Sequence, residues 1–216
     1  MSLNRRDLFK LGGLSVLGAA GLAVPLGGGA STKSISTLSG TQFPKRYATA
    51  FIRPPVLDAT MRDGVAHYDI TARKSTAQII PGLTTPVYAY NGSVPGPIIK
   101  VDKGTPAVVR MRNHLPKAGP WGGAYNISTH LHGSESLPQY DGYASDTTPV
   151  GYMKDYHYPN TQAARTLWYH DHGQHWTAQN AYSGLAAQYH LHDDDERKLL
   201  PQGEYDVPLT VTDAIF

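Results

Sequence analysis

Val87-Tyr88-Ala89-Tyr90-Asn91-Gly92 opens the stretch that decides the fold. A run of β-branched and aromatic residues ends in a turn pair that readily takes positive φ, so it reads as a strand closed by a tight turn. Pro97-Ile98-Ile99-Lys100-Val101 and Ala107-Val108-Val109-Arg110-Met111 follow, flanking Asp102-Lys103-Gly104, which reads as a hairpin signal. The same pattern extends outward. Tyr68 to Ile80 reads as one long strand. Ile127 to His132, Tyr156 to Tyr158, Thr166 to His172, Leu185 to His192 and Val207 to Thr212 read as further strands. The one helical segment expected is a turn or two from Trp176 to Tyr182, and Asp193-Asp194-Asp195-Glu196 reads as a solvated loop. Many short strands with turn chemistry between them predict an all-β sandwich or barrel.

Composition agrees. The chain has 216 residues, with 22 Gly and 16 Pro but no repeat period, which suits a turn-rich β protein. Its 14 Tyr fit half-wet sheet surfaces. The absence of Cys excludes a disulfide scaffold, a Cys-zinc site, an iron–sulfur cluster, a thiol nucleophile and thiolate-bound copper within these residues. No glycine-rich phosphate loop or nucleophile elbow is present.

The first thirty residues read as an export signal. Asn4-Arg5-Arg6-Asp7-Leu8-Phe9-Lys10 is a twin-arginine block. Leu11 to Val24 are uncharged, Pro25 breaks the run, and Gly28-Gly29-Ala30 offers small residues for cleavage. The apolar run is short and rich in glycine against the ~20 residues of a membrane span. The expectation is export to the periplasm or beyond, with residues 31–50 a flexible arm and residues 51–216 one folded domain. Of 19 basic and 17 acidic residues, the leader carries three and one, which leaves 16 of each. Such a balance gives no reason to expect nucleic acid or an anionic membrane as partner.

Ten His in so short a chain need a reason. His130-Leu131-His132 and His170-Asp171-His172 each stand near the end of an expected strand. Side chains at i and i+2 share a face, so two such pairs on neighbouring strands bring four imidazoles round one point. Without thiolates or grouped carboxylates, four imidazoles favour copper or zinc. Of the remaining His, His190 and His192 beside a charge run, His114 at a turn and His67 at a strand start read as structural. His175 is a candidate for supporting a ligand. Trp168 and Tyr169 read as packing.

At this point the sequence resembles a known family, the multicopper oxidases. The likeness is to their first cupredoxin-like domain, in the branch of bacterial spore-coat laccases and bilirubin oxidases. The resemblance rests on Tyr90-Asn91-Gly92-Ser93-Val94-Pro95-Gly96-Pro97, Thr129-His130-Leu131-His132-Gly133, Asp141-Gly142-Tyr143 and Tyr156-His157-Tyr158-Pro159-Asn160. It continues through Leu167-Trp168-Tyr169-His170-Asp171-His172, Tyr182-Ser183-Gly184-Leu185 and Glu204-Tyr205-Asp206-Val207-Pro208-Leu209.

The resemblance implies a cupredoxin-like Greek-key β-barrel or sandwich. It also implies that His130 serves a type 2 copper, and that His132, His170 and His172 serve a pair of type 3 coppers. Asp141 matches an acid held to help deliver protons to reduced oxygen. In that family eight His hold three coppers that reduce O2, and a Cys in the last domain binds the type 1 copper. These residues supply four of the eight His and no such Cys. The expectation is therefore a laccase-like piece whose remaining ligands come from a separate chain or from further domains, inactive by itself. The apolar face where such domains pack suggests self-association. Two alternatives stay open: a stand-alone exported domain that binds copper or zinc, and a copper-free envelope scaffold. The scaffold is the weaker, because all four ligand positions are filled.

Overall fold

Among the described residues, alternation of apolar and polar side chains builds ten strands in two sheets. The computed structural model describes residue 47 and residues 49–118 and 125–214. The expected leader lies outside the described residues, as does nearly all of the arm. In chain order the strands are β1 (Val56–Leu57), β2 (Thr60–Arg62), β3 (Val65–Ala77), β4 (Thr85–Tyr90) and β5 (Ile98–Asp102). There follow β6 (Ala107–His114), β7 (Thr129–His132), β8 (Met153–Tyr158), β9 (Arg165–Asp171) and β10 (Ala186–His192). The first sheet runs β1-β5-β10-β9-β7. The second runs β2-β3-β6-β8, with β4 also paired to β3. The all-β sandwich expected from the sequence is the observed architecture.

The period-2 pattern decides which residues meet between the sheets. On β3 it buries Ala66, Tyr68, Ile70 and Ala72. On β6 it buries Ala107, Val109 and Met111. These join Ile99 and Val101 of β5, Leu131 of β7, Tyr156 and Tyr158 of β8, Tyr169 of β9, and Tyr189 and Leu191 of β10 in one core. The tyrosines correct the expectation of half-wet sheet surfaces, since Tyr90, Tyr125, Tyr156, Tyr169 and Tyr189 are among the largest fully buried side chains. Burial is tolerated where the hydroxyl finds a partner. Tyr169 donates to the Pro97 carbonyl at 2.5 Å and Tyr189 to Asn160 Oδ1 at 2.8 Å. The Tyr156 hydroxyl accepts from the Thr129 N–H at 2.9 Å, which fixes the start of β7.

Four local readings need correction. Asp102-Lys103-Gly104 is a turn, with the Thr105 N–H donating to the Asp102 carbonyl, but it does not join a hairpin. It carries the chain from β5 in one sheet to β6 in the other. Asn91 and Gly92 do take positive φ, 52° and 86°, yet β4 pairs with β3 and the chain crosses to the other sheet after the turn. Turn chemistry specifies a reversal, not which strands pair.

Val207 to Thr212 form no strand. β10 already has β5 on one side and β9 on the other, so no ladder edge is open to them. Instead Gln188 Nε2 donates to the Leu209 carbonyl and to Thr210 Oγ1, which holds this segment against β10.

The expected helical turn is α1 (Thr177–Tyr182). The acidic run is not a loop but the start of a second helix, α2 (Asp194–Leu199). Asp193 caps it by accepting from the Glu196 N–H at 2.8 Å, and the acids of its first turn face the positive end of the helix dipole.

Candidate metal centre

β7 and β9 lie side by side and antiparallel, with His130 opposite His170 and His132 opposite Trp168. Alternation turns Leu131 and Tyr169 into the core and puts His130, His132, Trp168 and His170 on the other face. His172 follows directly after β9, where its N–H donates to the Ser128 carbonyl at 2.6 Å. Both His-x-His pairs thus reach one place. One nitrogen from each of His130, His132 and His170 lies within 4.8 Å of the others. The His172 ring joins them at 5.3 Å from the His130 ring and 6.0 Å from that of His170.

Two of the rings are held by backbone carbonyls, which also sets their tautomers, because a carbonyl only accepts. His130 Nδ1–H donates to the Asp141 carbonyl at 2.5 Å, and His170 Nδ1–H donates to the Asp171 carbonyl at 2.8 Å. In both, Nε2 is left with its lone pair. His170 Nε2 faces His132 Nδ1 at 3.4 Å. Burial, reinforced by the three neighbouring imidazoles, pushes His170 down to about 4, so its ring is neutral at neutral pH.

The donor set fits copper. It consists of imidazoles, with no carboxylate in the closest group. His172 Nδ1 is buried without a hydrogen-bond partner, and a buried nitrogen left this way needs a donor or a metal ion for its lone pair, or an acceptor for its proton.

Asp141 reaches His130 because Gly142 lets the chain come close. Gly142 has φ of 75°, and a Cβ there would stand 2.3 Å from the Thr129 carbonyl oxygen. The Asp141 carboxylate remains about half exposed, with Oδ1 3.4 Å from His130 Nδ1.

Two residues matter to the geometry in ways the sequence reading missed, Asp171 having no reading there and Trp168 being read as packing. The first is Asp171, between the paired His. Alternation sends its side chain into the core, where it is fully buried. Its Oδ1 accepts from the Ser128 N–H at 2.8 Å and from the Gly173 N–H at 3.3 Å, and its Oδ2 accepts from Asn180 Nδ2 of α1 at 2.8 Å. Burial raises its pKa, while those hydrogen bonds pull it back. The signal was available: a carboxylate forced to the core side of a strand must find donors. The second is Trp168, whose ring stacks against both His132 and His170.

The other His stand elsewhere. His190 is buried on β10, with Nε2 bonded to Gln188 Oε1 at 2.7 Å, and His192 Nδ1 meets Glu196 Oε2 at 2.7 Å. His157 packs on Tyr140 with ring centres 4.8 Å apart, and with His67 it lines an apolar groove. His114 is the exposed last residue of β6, and His175 is exposed with φ of 67°.

Comparison with known proteins decides the family. The multicopper oxidase family pattern matches residues 71–196. The chain belongs to the multicopper oxidases. Copper is the metal of that family. The chain is 43% identical over 150 residues to bilirubin oxidase of Albifimbria verrucaria, a match covering 68% of this chain and 25% of that protein. It is 36% identical over 171 residues to laccase of Bacillus subtilis (strain 168), covering 68% of this chain and 33% of that one.

The fold agrees with the multicopper oxidase of Campylobacter jejuni, described as a metallo-oxidase. The TM-score is 0.64 at 25% identity, covering 75% of this chain and 33% of the other. This multicopper oxidase chain thus spans a quarter to a third of the length of the relatives it matches. Among the described residues, no helix is long and apolar enough to cross a membrane.

Proposed function

We propose that this chain is the copper-binding N-terminal domain of a laccase-like multicopper oxidase, exported by the twin-arginine route. It supplies half the His ligands of a trinuclear copper cluster. His130 holds the type 2 copper, and His132, His170 and His172 hold the type 3 pair. The observation that carries the reading is the convergence of both His-x-His pairs on one face of β7 and β9. When bound, the three coppers would supply three of the four electrons that reduce O2 to water, the fourth coming from the thiolate-bound copper held outside these residues. The chain's own residues bind and orient. The Asp141 carbonyl fixes His130, while its half-exposed carboxylate beside that ring suits passage of a proton between solvent and the site. The remaining four His and the electron-accepting copper come from a partner chain or from further domains.

Isothermal titration with Cu(II) tests the reading. Replacing His132 and His170 together by Ala should abolish stoichiometric binding. Replacing His190 and His192 together should leave it nearly unchanged, because they sit on Gln188 and Glu196 and not at the cluster. Dependence on the second pair and not the first would overturn the assignment. With copper loaded, the 216-residue chain should consume no oxygen with phenols, for want of a thiolate-bound copper. Chelator-sensitive turnover like that of a complete laccase would refute that part.

A further inference from the structure

Cross-strand register makes a two-by-two grid of side chains on the face of β7 and β9 that points away from the core. His130 and His170 form one rung, and His132 and Trp168 form the next. Three corners are proposed metal ligands, and the fourth is an indole. Trp168 lies 4.0 Å from the His170 ring centre at an interplanar angle of 27°, and 5.1 Å from that of His132 at 22°. Both contacts are stacked. Only a large flat side chain at that corner reaches one ring across the strands and another two residues along its own.

The four His are not held alike. His130 and His170 are each pinned by a backbone carbonyl. Among the described residues, the His132 ring has no hydrogen bond other than its 3.4 Å approach to His170 Nε2. It is also the exposed member of the group. A free imidazole on an edge strand samples several χ1 and χ2 settings, and some of these turn Nδ1 away from the shared space. Binding a metal then carries the cost of ordering that ring. The His130 and His170 rings meet it edge-on or tilted, at 5.3 and 5.7 Å, and the one flat stack on it is that of Trp168.

We infer that Trp168 is a positioning residue for the metal centre: its indole fixes the His132 ring so that Nδ1, and not Nε2, faces His170 Nε2. Simple core packing does not account for this residue. Trp168 is 40% exposed and stands outside the core cluster, and its ring contacts are with His132 and His170. The affinity consequence rests on the copper reading above. The ring position does not.

The test uses the 216-residue chain with Trp168→Ala, Trp168→Leu and Trp168→Phe. In the metal-free protein, long-range 15N–1H spectra of the imidazoles report the tautomer and setting of each ring. The wild type should show one His132 tautomer. Trp168→Ala and Trp168→Leu should mix its two nitrogen signals, Trp168→Phe should restore a single form, and His130 should stay as it is in all of them. In Cu(II) titrations, affinity should fall about tenfold in the Ala and Leu variants and stay within about threefold of wild type in Phe, as expected for losing and keeping aromatic stacks.

If the His132 signals are unchanged in Trp168→Ala, the inference is wrong, whatever the affinity does. If Leu restores the ring as well as Phe, bulk and not stacking is responsible, and the inference is equally wrong. If the wild type binds no copper, the metal reading falls, and the metal-free spectra alone judge the role of Trp168.

Discussion

The Asp171 carboxylate accepts a hydrogen bond from the Ser128 N–H across 2.8 Å of the protein interior. One side chain thereby ties the end of β9, which carries His170, to the residue that leads into β7, which carries His130 and His132. The Ser128 carbonyl returns the tie by accepting from the His172 N–H. The two His-x-His pairs are joined through the polar groups between them as well as through the ladder.

Removing that carboxylate should be costly. Asp171→Ala leaves the Ser128 and Gly173 N–H groups and Asn180 Nδ2 without their acceptor in a buried site. Part of this loss is offset because a desolvated charge is also removed, so the net destabilisation should be about 3 kcal/mol. Denaturant unfolding measures it. A loss below about 1 kcal/mol would show that the network is dispensable.

Gly142→Ala should harm both fold and site. The new methyl meets the Thr129 carbonyl at 2.3 Å, and the positive φ is unfavourable for Ala. The turn must back away from β7 and take the Asp141 carbonyl from His130 with it. We expect more than about 2 kcal/mol of destabilisation and weaker Cu(II) binding. Unaltered thermal stability and copper affinity would contradict the close approach.

Asp141→Asn should separate the backbone role of this residue from its side-chain role. The carbonyl that orients His130 is kept, so copper stoichiometry and affinity should match wild type in titration. Oxygen reduction by the assembled oxidase should fall, because the group proposed to pass protons no longer ionises. Loss of copper from Asp141→Asn would mean that the carboxylate, not the carbonyl, holds the ring.

Most of the longer strands and both His-x-His pairs were legible because each rests on a period of two, which sequence displays directly, whereas the short β1 and β2 were missed and the strand expected over Val207 to Thr212 does not form. Strand pairing was not. Asn91-Gly92 and Asp102-Lys103-Gly104 have the chemistry of reversals, and the same chemistry serves a hairpin or a crossing between sheets. Asp193 to Glu196 were read as a solvated run because charge dominates composition there. Their spacing also makes a helix cap, visible once Asp193 is set three residues before Glu196. At the site, the orienting groups of His130 and His170 are backbone carbonyls. No residue type marks these, so sequence shows the paired imidazoles and hides what aims them.

Acid should destabilise the metal-free chain through His170. Burial holds its folded-state pKa at about 4, below the ordinary value of 6.5. Above 6.5 the ring is neutral folded or unfolded, and its contribution to stability is fully present. As pH falls through 6.5 the unfolded chain takes up a proton that the folded chain refuses, so stability declines until both forms are protonated near 4. The full loss is about 3 kcal/mol.

His190, lowered by its own burial, declines in part of the same window, whereas Asp155 and Asp206, held low by Arg110 and Lys100, lose stability only below their ordinary 3.8. Asp171, raised by burial, runs the other way, because its folded form takes up a proton first as pH falls. Urea unfolding between pH 7 and pH 4 for wild type, His170→Asn and His190→Gln separates them. The pH slope should flatten most in His170→Asn. A slope equal to wild type in that variant would mean that His170 is no more resistant to protonation than a free imidazole.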